Sequence, residues 1–341
     1  MDPVTQAALG AAVARVGART GPDVPHRSAA SVSLLVAGAA GGLAPDLDVL
    51  IRSATDPLLF LEYHRQFTHA LVFIPFGGAL VALALWPVLR RWLGPAAVLA
   101  AATLGYASHG VLDACTSYGT ALLWPFSDAR VAWNLVSVID PLLTLPLVVA
   151  VLIGLRGDPR WSALFGVAWV LAYLGVGAWQ GARAEAAALA LARDRGHAPE
   201  QLTVKPSFAN LMLWKSIYAA DGRWWVDAVR AGADVHVIAG EQIVMLDVPQ
   251  QLPWLRPASR QAVDLARFER FSAGYLAADP ARAGRILDVR YSMVPNRIDA
   301  LWGITLTPDA GADEPAQFWT HRTAAPEDRA ALMALLRHPP R

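Results

Sequence analysis

"YHRQFTHALVFIPFGGALVALALWPVLRRW", residues 63–92, decides the fold. Its middle, 70–89, holds twenty residues without a charge, the length a helix needs to cross the hydrocarbon core of a bilayer. Arg90 and Arg91 close it. Its entrance is a different kind of sequence: His64, Arg65, Thr68 and His69 crowd the last few residues before the apolar run. Polar groups next to lipid are costly, so such a cluster is expected to face a polar cavity and to have partners.

Four further runs have similar length and character: 28–45, 95–115, 136–155 and 161–180. The stretch "VTQAALGAAVARVGA" (4–18) has helical periodicity but is short, so it reads as a partial or interfacial helix or a sixth span. The whole chain of 341 residues is 55% hydrophobic and only 17% charged, with a positive mean hydropathy. That composition excludes an ordinary soluble domain. The sequence therefore predicts a polytopic α-helical membrane protein with five to six membrane-embedded helices. The formal net charge of +1 gives no reason to expect nucleic acid as a partner. One cysteine, Cys115, excludes an internal disulfide and a cysteine-built zinc site. No cleavable signal peptide is evident.

Arginines in short loops predict the orientation. Arg15, Arg19 and Arg27, then Arg90 and Arg91, then Arg156 and Arg160 fall on one side if the spans alternate, and that side is expected to be cytoplasmic. The extracytoplasmic face then carries 45–69, 109–137 and everything after 181. Residues 182–199 read as a charged, alanine-rich connecting helix. From 200 to 341, alternating segments such as "RWWVDAVRAG", "EQIVMLDV" and "RILDVRYSMV" predict short strands and hairpins. One amphipathic helix is expected at 258–278. The carboxy-terminal part is thus expected to be an α+β soluble domain, after a membrane domain at 1–181. Its tryptophans either build a β core or dock on the bilayer.

Candidate ligands cluster at one end of the spans: Asp46 and Asp48 in "APDLDVL", His64 and His69, then His109 and Asp113 in "SHGVLDACTSYGT". His109 and Asp113 are four apart, so a helix puts them on one face. This donor set suits a divalent metal, zinc first, with manganese and iron compatible. Trp124, Asp128 and Asp140 lie near the same ends. Arg65 is a candidate phosphate clamp and Thr68 a substrate or His69 partner. Asp140 is either a general acid or the cap of the helix that follows it. His197, His236, His321 and His338 are not assigned to the metal.

"PDLD", "YHRQFTH" and "GYASHGVLDACTSYGTALLWPFSD", in this order, resemble the YdjM-type inner-membrane proteins, described as membrane-bound metal-dependent hydrolases. The resemblance runs to about residue 180, and the later part looks like the tail of a longer branch of that family. Many members have a histidine just after a "DPVT" start, where this chain has Gln6, so no ligand is expected from the amino terminus. A more distant similarity is to zinc-dependent phospholipase C, whose ligand order Asp46 or Asp48, His69, His109 and Asp113 would match. The expected function is hydrolysis of a phosphoester in a lipid or lipid-linked substrate at the outer surface of the inner membrane. The alternative is an ion-coupled transporter that uses buried histidine and aspartate residues. The expected partners are the lipid bilayer and its lipids.

Overall fold

The computed structural model describes residues 1–18, 27–156, 159–321, 323 and 325–337. Arg19 and His338, used in the sequence reading, lie outside the described residues, as does the side chain of Arg27. The chain divides into two compact units.

The first unit comprises Met1–Leu50, Tyr63–Ala178 and Phe208–Asn210. Its helices are α1 (Pro3–Gly17), α2 (Arg27–Leu43), the tail of α3 (Leu59–Tyr63), α4 (Ile74–Leu89), α5 (Pro95–Ala114), α6 (Pro141–Gly154) and the first part of α7 (Pro159–Asp194). Several starts are written in the sequence. Asp2 caps α1 by accepting from the Thr5 amide at 3.0 Å, and Pro3 takes the first helical position. α5 likewise has a proline, Pro95, at its first helical position, after Gly94, which makes no side-chain cap. A 3-10 segment, Ala44–Leu50, extends α2 and carries Asp46 and Asp48.

Among the described residues, four helices are long and apolar enough to cross a membrane: Ala29–Leu50, Leu71–Leu89, Pro95–Ala114 and Arg160–Asp194. This corrects the expected five to six. α6 has only 14 residues, short of a full span, and α1 has 15 and packs its alanines against α2 and α5. Phe76, Leu80 and Leu83 on α4 and Leu142, Leu145 and Leu152 on α6 are exposed, as lipid-facing residues are. The buried seam runs along small residues. A Cβ at Gly105 of α5 would lie 2.0 Å from the Gly38 carbonyl oxygen of α2, so the two backbones meet because neither has a side chain there.

α7 is one uninterrupted helix through Ala182, where the sequence pattern suggested a span followed by a separate charged helix. Gly181 lies inside the helix and is not among the glycines at positive φ, and no proline follows until Pro199, so the change is one of surface and not of backbone.

The second unit comprises Ile51–Glu62, Trp179–Ser207 and Leu211–Arg341. Strands β1 (Gln201–Pro206), β2 (Leu213–Ala220), β3 (Arg223–Ala231) and β4 (Val235–Ile238) form an antiparallel sheet, with β5 (Gln242–Val244) also on β3. Asp221 and Gly222, both at positive φ, make the two-residue turn between β2 and β3. After α8 (Val248–Gln251) and α9 (Arg260–Ser272), strands β6 (Leu276–Ala278), β7 (Arg285–Asp288), β8 (Trp302–Thr305) and β9 (Gln317–Thr320) form a second antiparallel sheet. α10 (Pro326–Arg337) follows. The helix expected at 258–278 stops at Ser272, because Ala273 and Gly274 turn into the left-handed region and release the chain into β6. Trp214, Trp224 and Trp302 are buried, so these tryptophans build the β core. Ile51–Glu62 joins this unit through Arg267, which pairs with Asp56 at 2.9 Å and with Glu62 at 2.6 Å.

Lys205 and Lys215 face each other across β1 and β2, and both are buried. The Lys215 ammonium donates to the Ser292 hydroxyl at 2.7 Å and the Arg297 carbonyl at 2.8 Å. Burial pushes it down to about 7, against the opposing pull of Asp299, Glu241 and Asp288. The unfolded chain keeps that proton up to about pH 10.4, so it binds more protons than the folded state above pH 7. Stability of this unit is therefore expected to rise between pH 7 and 10, by at most about 1.4 kcal/mol per pH unit for this one group. Lys215→Met is expected to flatten that rise in denaturant titrations at pH 7, 8 and 9. An unchanged slope in the variant would remove Lys215 as its source.

Candidate metal centre

One face of α5 carries Gly105, His109 and Asp113 at successive spacings of four. The glycine brings α5 against α2. The His109 Nδ1–H then donates to the carbonyl of Gly42, at 2.6 Å, near the end of α2. A carbonyl only accepts, so the proton sits on Nδ1 and Nε2 keeps its lone pair. The same logic applies to His69. Its Nδ1 lies 3.0 Å from the Thr68 hydroxyl and 3.3 Å from Asp48 Oδ2, and Thr68 in turn donates to Asp48 at 2.9 Å. The proton again belongs on Nδ1.

The two Nε2 atoms nevertheless face each other at 2.9 Å. Asp113 Oδ2 lies 3.2 Å from His69 Nε2 and 3.5 Å from His109 Nε2. Asp46 Oδ1 lies 3.5 Å from both. Four electron-rich atoms from three separate segments thus crowd one point, and His69, His109 and Asp113 are buried. They repel one another unless positive charge lies between them. Ligand atoms about 2.0–2.1 Å from a tetrahedral zinc would be separated by roughly 3.3–3.4 Å. The five separations that involve an imidazole, 2.9–3.5 Å, bracket that value, and all four ligand atoms lie within 4.8 Å of one another. The donor set therefore fits a metal ion, and Asp46, His69, His109 and Asp113 could hold one.

Asp46, Asp48 and His64 form a second group of the same kind, with Asp46 common to both. Asp48 differs from the others in its commitments. Its Oδ1 meets His64 Nδ1 at 2.8 Å, and its Oδ2 accepts from the Arg65 amide at 2.9 Å as well as from Thr68. It is the buried carboxylate that orients His69 and His64 from behind, the arrangement that commonly fixes metal-binding imidazoles. Thr68 shares that task.

Arg65 departs from the clamp expected of it. It is buried, with its backbone at φ +62°, a conformation that side-chain-bearing residues rarely adopt. Its Nε pairs with Asp113 Oδ2 at 2.9 Å, one Nη donates to the Thr116 hydroxyl at 2.9 Å, and the guanidinium lies over the Tyr118 ring. Its charge is spent on a protein carboxylate. Asp140 lies outside both groups. It caps α6 through the Leu142 and Leu143 amides, and both its oxygens accept from the Tyr173 hydroxyl at 2.9 Å. Of the two roles the sequence left open, the hydrogen bonds are those of the cap. Asp128 is exposed, and Trp124 packs on Phe67 at 6.2 Å. Among the described residues, His197, His236 and His321 belong to neither group.

Gln6, from which no ligand is expected, nevertheless stands at the site. α1 buries it completely and brings its amide Nε2–H to Asp113 Oδ1 at 2.9 Å, with the His109 carbonyl at 3.4 Å. Its Oε1 is buried without a hydrogen-bond partner. The amino group of Met1 also meets Asp113. The available signal was the capped "DPVTQ" start, which sets Gln6 one turn into a helix of buried small residues.

Comparison with known proteins agrees with this geometry in extent. The family model described as YdjM inner membrane protein matches residues 1–184, the part that contains both ligand groups. A curated protein from Bacillus subtilis (strain 168), "Uncharacterized protein YfhP", is 28% identical over 163 residues, covering 46% of this chain and 47% of that protein. The chain thus spans about half the length of the curated relative it matches. No solved structure matches the chain. The likeness to zinc-dependent phospholipase C draws no support from these matches. The chain is a membrane protein and belongs to the YdjM inner membrane protein family.

Proposed function

We propose that this protein is a membrane-bound, metal-dependent hydrolase that cleaves a phosphoester of a lipid or lipid-linked substrate at the water–lipid boundary. The observation that carries the reading is the pair of imidazole lone pairs opposed at 2.9 Å with two carboxylates around them. Such an arrangement is stable around a cation. A divalent ion, zinc first, supplies Lewis-acid chemistry there by polarising a phosphoryl oxygen and making water more acidic.

The chain's own residues do the rest. Gly42, Thr68 and Asp48 hold the imidazoles in the tautomer that leaves Nε2 free. Arg65 and Gln6 hold Asp113 in place. Asp46 is the most exposed of the four inner ligands, so its side faces water and is the direction from which a substrate enters. It also belongs to the second group, so a second ion would share it. Asp46, Asp48, His109 and Asp113 all lie at the same ends of two apolar helices, and His69 immediately precedes a third. A site at that depth meets a lipid headgroup without extracting the lipid. Arg90 and Arg91, between the opposite ends of α4 and α5, support a boundary on the extracytoplasmic side of the inner membrane.

The test is release of inorganic phosphate from phosphatidic acid, and of glycerol phosphate or glycerol from phosphatidylglycerol, in mixed micelles, by the metal-loaded protein and by Asp46→Ala. The expected result is release by the wild type and a loss of about 100-fold or more in the variant. Proteoliposomes that pass the metal ion or protons without cleaving any phosphoester would overturn the reading in favour of transport.

A further inference from the structure

A cavity of about 480 Å³ in the second unit plays no part in the metal centre. It is lined by Arg282, Ala283, Arg285, Thr305, Trp319, Thr320 and His321. The register of the second sheet explains how it is built. Arg285 pairs with Thr305, and Gly303 pairs with Trp319, which puts Arg285, Thr305, Gly303 and Trp319 on one face. The opposite face carries Ile286, Ile304 and Trp302, and it is the buried one. A Cβ at Gly303 would come within 2.4 Å of the Trp319 ring, so the indole lies flat across the bare backbone. The Arg285 guanidinium then stacks on it, 3.4 Å from the ring centroid.

This face is short of negative charge. None of the lining residues is acidic. Arg285 Nε and Trp319 Nε1 are buried N–H donors without a hydrogen-bond acceptor among the described residues. The nearest carboxylate, Asp279, stands 3.8 Å from Arg285 Nε and already accepts from the Ala281 amide. Burial and the charge of Arg282 both push Arg285 below its ordinary range, and Asp279 only partly offsets them. Buried donors without acceptors are rare enough in folded proteins to need an explanation, and a missing anion is one. Two guanidiniums, the Thr305 hydroxyl and an imidazole around a cavity of this size match the oxygens of a phosphate group.

We propose that this cavity binds a phosphate monoester, carried either by a free small molecule or by a lipid headgroup. The site is independent of the metal centre and of the hydrolase reading. It is tested on the full chain in detergent after treatment with chelator, so that phosphate cannot be held by a metal ion. Glycerol 3-phosphate is titrated by calorimetry in one arm and dihexanoyl phosphatidic acid in the other. Each is repeated with Arg282→Gln, whose side chain is exposed, and with Arg285→Gln. Binding that weakens roughly tenfold or more in Arg282→Gln supports the site. With the free ester it assigns a soluble ligand, and with the lipid alone it assigns a headgroup. No binding in either arm, or binding that both variants leave unchanged, overturns the proposal.

Discussion

Protein purified in detergent, loaded with Zn²⁺ and desalted is expected to keep its metal, and His109→Ala is expected to lose it, with affinity lower by more than about 100-fold. His109 supplies one of the two opposed Nε2 atoms, and its other nitrogen is already committed to Gly42. Removing it opens the centre on one side and leaves His69 facing carboxylates alone. Asp113→Ala is expected to do the same. That variant also strands Arg65, so a failure to fold would be uninformative. Asp46→Ala avoids the problem, because its side chain is partly exposed and no cation pairs with it among the described residues. Thr68→Val, which removes a group acting behind His69, is expected to cost about 10–100-fold. Asp140→Asn is the control that keeps full metal content, since Asp140 belongs to the α6 cap. Elemental analysis of the desalted proteins reads all five. Full metal in both His109→Ala and Asp46→Ala would remove the centre, and the hydrolase with it.

The second large effect is expected from a residue that touches no ligand. Gly105→Val puts a branched side chain where a Cβ alone would stand 2.0 Å from the Gly38 oxygen. That neighbour is backbone and cannot rotate away, so α5 must move off α2 or the helix must deform. A cost of about 3 kcal/mol or more is expected, which lowers the melting temperature in detergent by roughly 6–12 °C. The same displacement breaks the His109–Gly42 hydrogen bond one turn along, so metal affinity should fall in the molecules that remain folded. Gly175→Ala is the contrast. Nothing lies within 4 Å of a Cβ there, and alanine favours the middle of a helix by about 0.5–1 kcal/mol. A Gly105→Val protein as stable as Gly175→Ala would mean that the glycine seam does not set the α2–α5 distance.

Residue types and spacings were enough to announce a membrane protein with a separate α+β tail. A twenty-residue uncharged run has few other fates, and alternation between Gly and Asp-Gly turns reads as hairpins. The donor set was also legible, because histidine and aspartate beside lipid are expensive and imply partners. Roles within that set were not. Asp46 and Asp48 are two apart in the same 3-10 segment, yet one faces His69 Nε2 and His109 Nε2 and the other turns back to hold His64 and His69. Arg65 looked free to bind substrate until Asp113, 48 residues later in the chain, was found beside its Nε. Helix count was misjudged because hydropathy counts residues and not their neighbours. α6 is apolar enough for lipid but too short to cross it, and the small residues of α1 are buried by α2 and α5.

By itself, then, the order of residues determined the class of protein, the position of the apolar helices, the turns of the sheet domain and the list of side chains able to bind a cation. Those are local properties, set by length, period and chemical type. Which four of those side chains converge, which carboxylate stands behind them, and why Gln6 and the Gly42 carbonyl join the site were decided only when α1, α2 and α5 packed together. Convergence depends on backbone separation, and in this protein that separation is set by glycines whose contribution is the absence of a side chain.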